Sequence, residues 1–134
     1  MGLAYLFEER VLCLEAVGSG VRLCLMSELV KRYPGGIDYF AIDAAPETRH
    51  EAIRFGFAQL GKPFDFAGLT RFFLLLTLGI RPRARLDNRW FCAELVAEAY
   101  RRQGIPLAKD PSYYASPRAL TEGDRAQRRF TIKR

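Results

Sequence analysis

Two polar breaks, "EER" at 8–10 and "GSG" at 18–20, divide the first 26 residues into three apolar runs. The runs, "GLAYLF" (2–7), "VLCLEAV" (11–17) and "VRLCLM" (21–26), are too short for helices and suit strands. Strands joined this tightly pair with their chain neighbours, so the chain opens as an antiparallel meander of two hairpins. Along the middle run, Val11, Cys13, Glu15 and Val17 share one face; Leu12, Leu14 and Ala16 share the other. Glu15 therefore stands among apolar neighbours, where a solvated carboxylate is not expected.

Ser27 is the expected N-cap of a short helix through Arg32, ended by "YPGG" at 33–36. "IDYFAID" (37–43) alternates as a fourth strand. A first long helix is expected over 46–61, with Pro46 in its first turn, Gly61 at its end and Ile53, Phe57 and Leu60 as its apolar stripe. "KPFDFAGL" (62–69) reads as a turn holding an acid among aromatics, and a strongly apolar helix follows to about Leu78. A basic loop, "GIRPRARLDN" (79–88), leads to another helix closed by Gly104. The tail holds "SPRAL" (116–120) and a last short strand, "RFTIK" (129–133). Strands first and helices after predict an α+β fold, an antiparallel meander packed against helices.

The 134 residues suit a single domain spanning 1–134. The net charge of +6 is concentrated in "RPRAR" (81–85) and in the tail from Asp124 to Arg134. Neither run is interleaved with aromatics as a stacking platform requires, and no nucleic-acid motif is present, so no nucleic-acid partner is expected. Cys13, Cys24 and Cys92 form no C-x-x-C pair, and with one histidine, His50, the chain predicts no metal site and no cofactor. Free thiols and the lack of a signal-peptide pattern point to the cytoplasm. The longest apolar run, "FFLLLTLGI" (72–80), is about half the ~20 residues a spanning helix needs, and a buried core helix is expected there.

"RWFCAELVAEAYRRQGI" (89–105) carries the chemistry. Cys92, Leu95, Val96 and Ala99 form one helical stripe, and Glu98 and Arg102 are spaced to pair on the outer face. Free cysteine is a common core residue, so one reading makes Cys92 an apolar filler. The other rests on position: a thiol in a first helical turn feels the positive helix end, and the unpaired N–H groups there can receive an oxyanion. Cys13 and Cys24 lie mid-strand without such help. The two readings remain open on the residues alone.

"GKPFDFAGL", followed by "RWFCAELVAEAYRRQGIPL" and "SPRAL", resembles the circularly permuted NlpC-type papain-like cysteine hydrolases. The stretch "VLCLEAVGSGVRLCLMSEL" is similar to that family's strand region as well. The resemblance implies a papain-like fold, Cys92 as nucleophile and Glu15 as the group orienting a catalytic histidine. Trp90, Phe91, Phe64 and Asp65 would line the substrate cleft. The implied substrate is a peptide, an amide or a lipid ester.

This chain departs from the family pattern at three places. Phe64 replaces a tyrosine, Ala93 replaces a serine, and the family's histidine is absent, since "MGLAYLF" begins where that motif would be ending. The expectation is that the N-terminal part of the family fold is missing and that this form is impaired in hydrolysis. His50, near the start of the 46–61 helix, is expected to be an ordinary surface histidine. The rival expectation is a non-catalytic domain that keeps the fold and binds a peptide, lipid or anionic partner. An open strand edge further predicts a homodimer.

Overall fold

The computed structural model describes residues 1–79, 89–109 and 115–133, apart from the side chains at 68, 71, 72, 75 and 76. The basic loop expected at 79–88 falls almost wholly outside the described residues. The chain is α+β with antiparallel sheets, as the order of its elements predicts. Strands β1 (Gly2–Phe7), β2 (Arg10–Val17) and β3 (Gly20–Leu25) form a meander in that order. Its register pairs Leu3 with Leu14, Glu15 with Arg22 and Cys13 with Cys24. A second sheet joins β4 (Ile37–Ile42) to β5 (Ala126–Ile132), with a register shift at Tyr39/Phe40 and the Tyr39 and Phe130 rings stacked 5.0 Å apart.

The two faces of the meander have different partners. Leu3, Leu14, Ala16 and Val21 pack into the core with Ala52 and Ile53 of α2 (Pro46–Phe57). Gly56 lets this helix approach closely, since a Cβ there would lie 3.1 Å from Leu3 and 3.3 Å from Leu14. Helix α4 (Cys92–Arg101) completes the core and is buried from Ala93 to Tyr100. The Cys13 and Glu15 face looks instead toward α1 (Met26–Arg32), whose Arg32 reaches Glu15. The short α5 (Pro117–Thr121) starts at Ser116, whose hydroxyl accepts the Ala119 N–H at 3.0 Å.

Several local expectations are corrected. Helix α1 begins at Met26 with Leu25 at its cap position, so Ser27 lies inside the first turn and caps nothing. Helix α2 ends at Phe57, which leaves Leu60 off the helix and 41% exposed; Ala52, Ile53 and Gly56 are the residues it buries. Glu98 pairs with Arg102 as spaced, but it is 3% exposed rather than outward, and Arg101 shares its carboxylate. The largest change concerns α3 (Phe66–Leu78), expected to be a core helix. Its Phe66, Phe73, Leu74 and Leu78 stand 61%, 58%, 36% and 64% exposed. Hydropathy measures the demand for burial, and an all-round apolar run does not say which side, if any, finds protein. Among the described residues no helix is long and apolar enough to cross a membrane.

Candidate active site

Cys92 is placed by a relay of backbone bonds that starts at the edge of β3. Gly61, in a left-handed conformation, donates its N–H to the Val21 carbonyl, and Val21 donates to Lys62 O, both at 2.9 Å. The chain then runs beside residue 90. Trp90 N–H donates to Pro63 O and Asp65 N–H to Trp90 O, each at 3.1 Å, forming a parallel bridge between Phe64 and Trp90. Two residues beyond the bridge, Cys92 opens α4.

At that opening Phe91 is the N-cap residue in an extended conformation and Cys92 the first helical residue. Phe91 has no side-chain acceptor, so only half of a capping box exists: Glu94 Oε2 accepts the Phe91 N–H at 3.5 Å. The first intrahelical bond runs from Leu95 N–H to Phe91 O. The amides of Cys92 and Ala93 therefore precede the helical ladder and lie at its positive end. Cys92 is partly exposed and the next eight residues of α4 are buried, while Arg101 at its other end is exposed.

Trp90 and Phe91 are buried, at 9% and 3% exposure, as is Asp65 at 2%. Trp90 meets Phe55 edge-on at 5.7 Å, and the Arg102 guanidinium lies 4.7 Å over the same Phe55 ring. Among the described residues the Trp90 Nε1 has no hydrogen-bond partner. Phe64 is partly buried and meets Phe66 edge-on at 4.8 Å. Of the four residues expected to line a cleft, Trp90, Phe91 and Asp65 are buried and Phe64 is partly exposed.

Glu15, 8% exposed, is engaged elsewhere. Its Oε1 accepts from Arg22 Nε at 3.0 Å and Nη2 at 2.7 Å; Arg32 Nη2 lies 3.5 Å away and Cys24 Sγ 3.6 Å. None of these partners is a histidine. Burial pushes the Cys13 thiol up to about 12, helped by Cys24 and the Glu15 charge. Cys24 is also raised, by burial first and then by Glu15. Burial and the Glu15 charge thus both oppose ionisation of the strand thiols.

His50 is exposed, with its ring 6.4 Å from Tyr5. Burial raises the Tyr100 phenol, and the Arg49 charge opposes that. Pro46, Glu47, His50 and Glu51 line a surface recess. His50 is thus a surface histidine, as expected.

No protein-family model matches the chain. No curated protein matches it either. Among solved structures it is similar to the crystal structure of metalloprotein yiiX from Escherichia coli O157:H7. The TM-score is 0.74 at 15% identity, covering 99% of this chain and 82% of that one. At that identity the likeness shows the fold. It corrects the resemblance drawn from "GKPFDFAGL" and "RWFCAELV": with no family model matched, the chain is not assigned to the NlpC-type papain-like hydrolases. Those short motifs form the Phe64–Trp90 bridge and the buried helix described above.

Proposed function

We propose that this chain is a thiol-centred acyl-transfer or hydrolase domain acting on an amide or ester, with Cys92 as the attacking group. One observation carries the reading. Of the chain's cysteines, Cys92 alone opens a helix, whereas Cys13 is buried mid-strand and Cys24, partly exposed like Cys92, lies on a strand beside Glu15. Thiolate attack forms the S–C bond at the substrate carbonyl, and the carbonyl electrons move to oxygen. The Cys92 and Ala93 amides supply the positive helix end for that oxyanion. Collapse of the intermediate breaks the bond to the amine or alcohol, which departs with a proton taken from water, and the thioester left on Cys92 is then cleaved by water or an acceptor.

Glu15 is assigned a structural role, because Arg22 and Arg32 engage its carboxylate. His50 is exposed and its ring contact is with Tyr5, so it is assigned no part in taking the thiol proton. With no histidine base assigned, acylation is expected to outrun release of the acyl group. The name given to yiiX calls that protein a metalloprotein. Among the described residues of this chain no three His, Cys, Asp or Glu side chains are grouped to hold an ion.

The test uses p-nitrophenyl acetate with intact-mass readout. The reading predicts one acetyl group on Cys92, released slowly, and none on Cys92→Ala. Acetylation distributed over lysines, unchanged in the Cys92→Ala protein, would contradict it.

A further inference from the structure

We propose that the exposed face of α3 is a docking surface for an anionic lipid bilayer. The proposal stands independently of whether Cys92 is a nucleophile. Phe66, Thr70, Phe73, Leu74, Thr77 and Leu78 are the exposed residues that define this face. At 100° per residue they occupy one side of the helix. The two hydroxyls do not make the face polar. Thr70 Oγ1 donates to Phe66 O at 3.0 Å and Thr77 Oγ1 to Phe73 O at 2.8 Å, so each is satisfied within the helix. Such a face loses no hydrogen bond when it leaves water.

Length and charge select the occupant. Thirteen residues make a helix of about 20 Å, short of the ~30 Å hydrocarbon core, so α3 would lie in the interfacial plane rather than span it. The helix contains no Asp or Glu. Exposed Arg89 adjoins the Phe64–Trp90 bridge from which α3 departs, and Arg81, Arg83 and Arg85 follow α3 in sequence. The net charge of +6 works against pairing two copies and favours a negatively charged surface. An apolar face with basic residues close by in the chain matches a bilayer carrying anionic headgroups.

The experiment is flotation of the whole chain with vesicles of phosphatidylcholine alone or mixed with phosphatidylglycerol, at low and high salt. Binding to the mixed vesicles, weakened by salt, is expected. F73E and L78E should each lower the partition coefficient by about tenfold or more, since each removes an apolar side chain from the buried face. L6E, at an exposed leucine of the β1–β2 hairpin, should bind as the parent does; circular dichroism verifies that all variants are folded. Failure to float with either vesicle overturns the proposal, as does equal loss in L6E. Equal binding to both vesicles overturns the charge-based choice of surface. A lipid-free dimer by light scattering that F73E dissolves makes the face a self-interface and overturns it as well.

Discussion

At Glu15 a carboxylate is held inside the protein on the face of β2 that looks toward α1, where Arg22 and Arg32 pair with it. Removing the charge while keeping the shape leaves the Arg22 fork without its acceptor. Both arginines are partly exposed, so water recovers some of that loss. Glu15→Gln is expected to lower unfolding stability by about 1–3 kcal/mol in urea titration. The alkylation rate of Cys92 should stay unchanged, because Glu15 faces the arginines; a matching loss of Cys92 reactivity would assign Glu15 to the chemistry instead. The sequence puts Glu15 on one strand face with Val11, Cys13 and Val17, and the structure leaves it 8% exposed there. Its partners were not legible, because pairing with Arg22 depends on the register of β2 against β3 and pairing with Arg32 on where α1 returns.

At the scale of elements, strand positions were readable because turn residues and short apolar runs bound them locally. The packing of helices was less so. Period and hydropathy located α3 and α4 equally well, yet α4 is buried along nearly its whole length and α3 presents phenylalanines and leucines to solvent. The difference arises from tertiary neighbours that no local pattern encodes. The relay that seats α4 has a sensitive point at Gly20, whose φ is +112° and whose added Cβ would lie 2.6 Å from Lys62 O. Gly20→Ala is therefore expected to cost roughly 2–3 kcal/mol, from backbone strain and the displaced Lys62 carbonyl. Equilibrium urea unfolding checks it. An unchanged midpoint would mean that the 61–62 segment does not depend on β3.

For the whole molecule, burial sets Cys13 apart from Cys24 and Cys92, which are both partly exposed, and position in the fold sets Cys92, at a helix N-terminus, apart from the two strand thiols. Cys13 and Cys24 face each other across β2 and β3 beside an acid, and burial with that charge suppresses their ionisation. Cys92 lies at the rim, where α4 meets solvent. The general fold class was legible from element order; the separate β4–β5 sheet was not, since β5 pairs with a strand some ninety residues earlier. The most direct test of the central claim is the pH–rate profile of iodoacetamide alkylation at each cysteine, read by peptide mass on folded protein and again in urea. In the folded state Cys92 should react near neutral pH about tenfold or more faster than Cys13 and Cys24, and urea should abolish the difference. If Cys92 reacts no faster than the strand thiols, or only on unfolding, it is a core cysteine and the acyl-transfer reading is wrong.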